Sequence, residues 1–338
     1  MAGASWLVFT RIAGDCSIRL LRDIIQEISV RFAAANRIGA SSVQERIRAD
    51  NLCKRYGSTT ALDGFSLEAR AGECVGIFGI SGAGKSAAIR ILAGIEAPDA
   101  GTVSRSGSPR RIGICSQTPS FDGVLTPAEI LWLYATLYEI PRGKRHAAIR
   151  EVLALVGLDS WRNRRLGSLS GGAHKLLEVA RALLSPSDLL LLDEPMAGLD
   201  FDARRRLWEH LLNIRTYDGK TIILATSRPE DAELCDRILL LHEGRVLATG
   251  TLAELRSMVG PEAMVIRPVK AKGAGAPKAG WAGVVGREEE DGSFVVEIGP
   301  ESRPAELVRQ ISGAAAVRLH PRGVDSVLEE LTKRGVVE

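Results

Sequence analysis

No run of apolar residues in this sequence approaches the ~20 that a membrane-spanning helix needs, so the chain is not expected to cross a bilayer by itself. Cysteine is scarce and scattered. The five, Cys16, Cys53, Cys74, Cys115 and Cys235, include no CxxC pair, which argues against a zinc site and structural disulfides and for a reducing compartment. Charge of one sign is not in excess either. With 44 basic and 41 acidic side chains the formal net charge is +3, and no nucleic acid partner is expected from so near a balance. The N-terminal region lacks the unbroken apolar core of a secretory signal, because Arg11, Asp15, Arg19 and Arg22 interrupt it. Its Arg and Ser content leaves an organellar transit peptide open, with Asp15, Asp23 and Glu27 counting against one. Internal repeats and long heptad runs are missing as well.

What is present suits an ordinary globular protein. The 338 residues, 45% apolar and 25% charged, suffice for one large domain with appendages. Composition divides them into an extension over 1–44, an alternating stretch over 45–258, a Gly-, Ala-, Pro- and Lys-rich linker over 259–281 and a small folded unit over 282–338. In the extension Ile18, Leu21, Ile25, Ile28 and Phe32 recur at helical spacing, which predicts an amphipathic helix over 17–34.

Within 45–258, short and almost continuously apolar runs at 73–78, 111–115, 188–192, 221–225 and 237–241 read as parallel strands covered on both faces. Helical patterns at 85–92, 127–138, 144–156, 173–184 and 202–216 lie between them. The expected fold is therefore α/β around a mostly parallel sheet, with 118–185 forming a helical subdomain. The tail predicts strands at 283–288, 293–298 and 315–319 and helices at 304–311 and 324–334. Asp291-Gly292 serves as a hairpin turn, giving a small α/β accessory unit.

Gly79-Ile80-Ser81-Gly82-Ala83-Gly84-Lys85-Ser86 fits GxxxxGK[ST], and it follows a strand and opens a helix. Its glycines let successive N–H groups face phosphate oxygens, and the helix start adds a favourable dipole. Lys85 supplies a cation for the β- and γ-phosphates and Ser86 a hydroxyl for Mg²⁺. The strand 188–192 runs into Asp193-Glu194-Pro195 at the sheet edge where ligands bind in such folds. Asp193 is the candidate for the Mg²⁺ shell, and Glu194 for orienting and polarising the attacking water. Leu169-Ser170-Gly171-Gly172 opens another helix and makes a second anion site.

Two such loops in one chain, separated by a helical subdomain, closely resemble the ABC ATPase domain, a P-loop NTPase, over about Arg46 to Met258. The resemblance implies ATP and Mg²⁺ as cofactors. It also implies head-to-tail pairing with a second ABC ATPase subunit, in which each Ser-Gly-Gly caps the partner's ATP, and coupling to a separate polytopic membrane permease. The chain would then sit at the cytoplasmic face of a membrane, held there through that permease. Tyr56 resembles the family's adenine-stacking aromatic residue. Gln117 resembles the glutamine that touches Mg²⁺ and water, and Gly198-Leu199-Asp200 the loop that crosses the dimer interface. Three positions depart from the pattern. Ala173 follows the Ser-Gly-Gly where Gln is usual, Ala87 stands for a Thr, and Ser227 stands where the switch histidine is expected.

The stretch from Ser120 through Thr126 with Glu129 and Leu133-Tyr134-Ala135, and the ending Val324 to Leu331, resemble export-type subunits for drugs, polysaccharides and lipids. The segment between Gly101 and Ile112 is shorter than the family's usual excursion there. Alternative classes are a slowly hydrolysing regulatory subunit, suggested by the three departures, and a non-transport relative. The single ATPase domain and the lack of coiled coils speak against the latter.

Overall fold

The computed structural model describes residues 45–106, 112–118, 121–259, 261–268, 286–288, 294–297, 314–321 and 323–333. The extension with its expected helix at 17–34, the expected helix at 304–311, and the Asp291-Gly292 turn lie outside these residues.

Two long strands come first, β1 (Glu45–Tyr56) and β2 (Thr59–Arg70), paired antiparallel. The short, fully buried β3 (Cys74–Phe78) leads into α1 (Lys85–Ala93), and β4 (Ala100–Arg105) returns to pair with β1. After β5 (Ile112–Cys115) come the helices α2 (Pro127–Leu137), α3 (Arg142–Leu155) and α4 (Gly171–Leu184). The chain then alternates through β6 (Leu189–Asp193), α5 (Phe201–Asp218), β7 (Thr221–Thr226), α6 (Pro229–Ala232), β8 (Arg237–His242), β9 (Arg245–Gly250) and α7 (Leu252–Val259). The tail adds β10 (Pro261–Pro268), β11 (Gly286–Glu288), β12 (Phe294–Glu297), β13 (Ala314–Pro321) and α8 (Val324–Lys333).

The central sheet has six strands in the order β5-β6-β7-β3-β8-β9, parallel except for β9. Alternate residues of its strands enter different cores, which is why they read as continuous apolar runs. Leu189, Leu191, Val75, Ile77 and Ile223 face α1 and the β2-β1-β4 sheet, where Ile47, Leu52, Phe65 and Ile89 are buried. Leu190, Leu192, Ile222 and Leu224 face the other layer, with Leu177 of α4, Leu153 of α3 and Leu211 of α5. Each side chain buried in this way contributes about 1.5–3 kcal/mol. The helices start where their sequence signals lie. Thr126 and Glu129 form a capping box ahead of Pro127, and the Asp200 carboxylate caps α5 by accepting from Ala203 N at 2.8 Å.

The expected parallel strands and all five expected helices of the central region are present within a few residues of their expected bounds. Four strands of this region, β1, β2, β4 and β9, were not anticipated. β1, β2 and β4 carry polar residues on one face and so lack a continuous apolar signature. One boundary needs correction. The stretch 259–281, expected as a linker, begins with β10, whose Ala263–Ile266 pairing places it between β12 and β13 in a four-stranded sheet ordered β11-β12-β10-β13. Averaging composition over the stretch hid a short run of strand formers ahead of the Gly-rich part. Helix α8 also packs on the body, with Val324, Val327, Leu328 and Leu331 buried against Phe78, Ile238, Leu240 and Leu255.

Candidate functional site

β3 delivers the chain to a turn in which two glycines are sterically required. A Cβ on Gly79 would meet the Leu241 carbonyl oxygen at 2.3 Å. One on Gly84 would meet that of Ala61 at 2.3 Å, and Gly84 also has φ +108°. Gly84 stands at the N-cap of α1, so no side chain takes up the first N–H groups of that helix. Such a terminus is a ready anion site. Ala83 is buried beneath the turn, whereas Ile80 and Ser81 are exposed.

Lys85 is buried, donating to the carbonyls of Gly79 (2.8 Å) and Ile80 (3.0 Å) and lying 3.5 Å from Glu194 Oε1. Glu194 follows the last residue of β6 with φ +48°, a left-handed conformation unusual for a side chain of this size. Its N–H is fixed by the Ala225 carbonyl at 2.9 Å. Next to it Asp193 is buried, and its Oδ1 has no hydrogen-bond partner. Burial raises the Asp193 carboxyl above its ordinary range, and the charge of Glu194 acts the same way. The Ser86 hydroxyl and the charges of Lys175 and Lys85 oppose the shift. The Ser86 hydroxyl lies 3.2 Å from Gln117 Oε1. A hydroxyl, an amide oxygen and an unsatisfied carboxylate oxygen are hard donors that suit Mg²⁺. Among the described residues no group of three or more His, Cys, Asp or Glu side chains could hold a metal ion on its own.

A cavity of about 430 Å³ opens over this turn. Of the residues singled out in the sequence, Tyr56, Ser81, Gly82, Gly84, Lys85, Ser86, Ala87, Gln117, Glu194 and Ser227 line it. Tyr56 is part of this lining. Its ring lies within 6 Å of the charges of Lys54 (5.7 Å) and Arg90 (5.9 Å), and its hydroxyl donates to Glu96 and accepts from Arg90 at 3.0 Å. The bond from Tyr56, then the Arg90 charge, hold Glu96 below its ordinary pKa against its slight burial. Arg90 was not anticipated. It sits five residues beyond Lys85 on α1, on the side that faces the cavity.

The Ser-Gly-Gly loop and Asp200 do not line the cavity. Ser170 caps α4, accepting from Ala173 N at 3.3 Å, and Gly172 lies where a Cβ would stand 3.2 Å from the Gly198 carbonyl oxygen. The two loops expected at a dimer interface are thus neighbours within the chain. Lys175 was also missed. It is buried on α4 and donates to the carbonyls of Ser116, Gln117 and Asp193. A lysine within the buried stripe of a helix, beside Val179 and Ala182, is the signal that could have found it.

Known proteins resemble the chain over the region that carries this site. The family model described as "ABC transporter" matches residues 62–197. The Nod factor export ATP-binding protein I of Burkholderia lata is 37% identical over 210 residues, 59% of this chain and 69% of that protein. Its namesake in Paraburkholderia xenovorans is 37% identical over 219 residues, 62% and 72% of the two chains. The chain belongs to the ABC transporter family of ATP-binding subunits.

Solved structures agree. The ATP-binding subunit of an ABC transporter superposes with a TM-score of 0.59 at 28% identity, over 63% of this chain and 92% of that one. A dimeric ATP-binding cassette in a post-hydrolysis state, bound to ADP and Pi, superposes with a TM-score of 0.57 at 26% identity, over 61% and 98%. The protein is therefore an ATP-binding ABC ATPase that powers transport, which entails a membrane component and a paired ATPase domain. Among the described residues no helix is long and apolar enough to cross a membrane.

Proposed function

We propose that this chain is the motor of an export system, hydrolysing ATP at the cavity above Lys85 and driving a separate polytopic permease from the cytoplasmic face of a membrane. The observation that carries this is the convergence of the phosphate turn, Lys85, Ser86, Gln117 and Glu194 on one cavity, with the neighbouring Asp193 buried. Export is supported by the likeness to Nod factor export subunits.

In this reading Tyr56 stacks on adenine, and the N–H groups from Gly79 through Ala87 surround the phosphates with Lys85. Ser86, Gln117 and Asp193 would hold Mg²⁺, which when bound offsets phosphate charge. Glu194, freed from Lys85 as phosphates engage the lysine, orients and polarises the attacking water. Ser170, Gly171, Gly172 and Asp200 serve the site of a second ATPase subunit, identical or different, since they do not line their own. The domains are read as the ATPase body over 45–258 and an accessory unit after it. That unit supports regulation or dimerisation, and α8 fastens it to the body.

A second reading, a slowly hydrolysing regulatory subunit, is favoured by Ser227 standing in the cavity in place of histidine. Mg-ATP should raise the stability of the wild type, by about 2.7 kcal/mol at 100 times its Kd, and Lys85→Ala should abolish the shift. No shift in the wild type would overturn the site. Recovery of a polytopic protein with the chain from native membranes tests the partner.

A further inference from the structure

Helix α4 makes two sets of contacts that the roles above leave unconnected. Its N-terminus carries Ser170-Gly171-Gly172 beside Gly198. Five residues after Ser170, Lys175 turns inward and is only 4% exposed. Its ammonium reaches Ser116 O at 2.8 Å, Gln117 O at 3.2 Å and Asp193 O at 2.9 Å. An ammonium has three protons to give and accepts none, so these bonds take its whole capacity. The three carbonyls belong to the exits of β5 and β6, the two segments that carry Gln117 and the Asp193-Glu194 pair.

Other polar groups of α4 reinforce the same grip. Arg181 donates to the Ile114 carbonyl at 3.0 Å and pairs with Glu178 at 2.7 Å, and Glu178 Oε2 stands 3.5 Å from Ser116 N. A buried ammonium is costly, and an apolar residue would fill this stripe at lower cost. What an apolar residue could not do is hold two separate strand exits to one helix.

We propose that Lys175 is a positioning residue for ATP hydrolysis. It fixes Gln117 and the Asp193-Glu194 pair to the helix whose N-terminus faces the second ATPase domain. The proposal rests on the site roles given above. Its consequence is directional. Displacing α4 pulls on the backbone under Gln117 and Asp193, so this chain's hydrolytic groups keep their geometry only while its Ser-Gly-Gly helix is seated on the sheet. The phosphate turn and Tyr56 make no contact with Lys175, and nucleotide binding does not depend on it.

The test uses the full chain with Lys175→Met, similar in length but without donors. Affinity for ATP in the presence of EDTA should stay within about twofold of the wild type, read from melting shifts. The Mg²⁺ concentration that half-saturates the ATP-bound melting shift should rise severalfold. Turnover at saturating Mg-ATP should fall at least about tenfold with little change in KM. In a Gln117→Ala background the same substitution should cost clearly less, because part of what it positions is already gone. Equal cost in both backgrounds, or a loss of turnover that merely follows the folded fraction, would overturn the proposal. Lys175→Gln, which keeps one donor group, carries the same comparison if Lys175→Met does not fold. A wild type without an ATP-dependent melting shift would instead overturn the site itself. A wild type that binds and hydrolyses, beside a Lys175→Met chain that does so equally well at the same Mg²⁺ midpoint, overturns only the role of Lys175.

Discussion

Lys85 Nζ lies 3.5 Å from Glu194 Oε1, with both side chains largely withdrawn from solvent. The pair is unequal. Lys85 has two further acceptors, the carbonyls of Gly79 and Ile80, whereas the Glu194 carboxylate depends on the lysine for its countercharge. Lys85→Ala therefore leaves a buried carboxylate unpaired and should lower the stability of the nucleotide-free chain by about 3 kcal/mol. Glu194→Gln leaves the lysine with its carbonyls and should cost under about 1 kcal/mol. Denaturant unfolding of the two variants without nucleotide checks the order, and a reversed order would count against the pair.

Glu194→Gln also bears on assembly. The glutamine keeps the shape of the side chain but cannot polarise water, so ATP should remain bound and hold the two halves of a composite site together. The placement of Ser170 and Asp200 outside the cavity of their own chain is what calls for a second chain. Sedimentation of this variant with Mg-ATP should show a dimer that the wild type forms only transiently. A strict monomer over a wide concentration range would mean that the partner is a different subunit.

Asp193 offers a test by pH. Burial, the leading cause, raises its carboxyl above the ordinary 3.8 in the folded chain. A carboxyl that binds its proton more tightly when folded makes the fold lose stability as pH rises from the unfolded pKa through the folded one. Asp193→Asn removes that loss. The nucleotide-free variant should melt higher than the wild type at neutral pH, and the difference should shrink as the medium approaches about pH 4. Its melting shift with Mg-ATP should no longer exceed that with metal-free ATP. Parallel melting curves across pH would show that Asp193 is not the strained acid of this site.

Much of this was legible in the residues because local chemistry and global fold agree at the site. Gly79 and Gly84 are glycines because a Cβ would strike carbonyl oxygens, and that constraint appears in any chain that folds such a turn. The buried strands were visible because both faces of the central sheet are covered. Lys175 and Arg90 were missed. The buried helical stripe marks Lys175 as unusual, but its partners lie 18 to 59 residues away in sequence, and Tyr56 lies 34 from Arg90, so no local pattern says what either residue holds. β10 was hidden by the Gly-rich residues that follow it, and β1 and β2 by polar residues on their outward face.

The tail can be tested as part of the body. Leu328 is 4% exposed and shares a core with Leu255, Ile238 and Phe78, the last residue before the phosphate turn. Leu328→Ala should cost about 2–5 kcal/mol. Shortening the chain after Met258 removes the whole of α8 together with Val259 and uncovers that core, so the melting temperature should fall while Mg-ATP still binds. Unchanged stability in both variants would show that α8 does not pack there. Loss of binding would mean that the tail shapes the phosphate turn itself.

Ser227 should limit turnover. It lines the cavity with Lys85 and Glu194, directly after β7. The backbone around it is anchored on both sides. Thr226 O accepts from Gly79 N at 3.4 Å, and Thr226 Oγ1 accepts from Arg228 N at 3.0 Å. Asp231, which faces Thr226, is in turn held by Trp208 Nε1 at 3.0 Å. A side chain at 227 therefore projects from a fixed point, and its length decides what it can reach. Serine ends at a hydroxyl, well short of an imidazole, and supplies neither a cationic nor a ring N–H donor at the γ-phosphate. Losing one well-placed transition-state donor costs about 3–4 kcal/mol, or roughly 10²–10³ in turnover. Ala87 and Ala173 replace residues expected to touch nucleotide away from the reacting centre, so they should cost less. Ser227→His should raise turnover at saturating Mg-ATP at least about tenfold with ATP affinity little changed. A rise confined to affinity would place position 227 among the binding groups. Unchanged turnover would show that the hydrogen bond is supplied elsewhere, by an ordered water or by the second subunit.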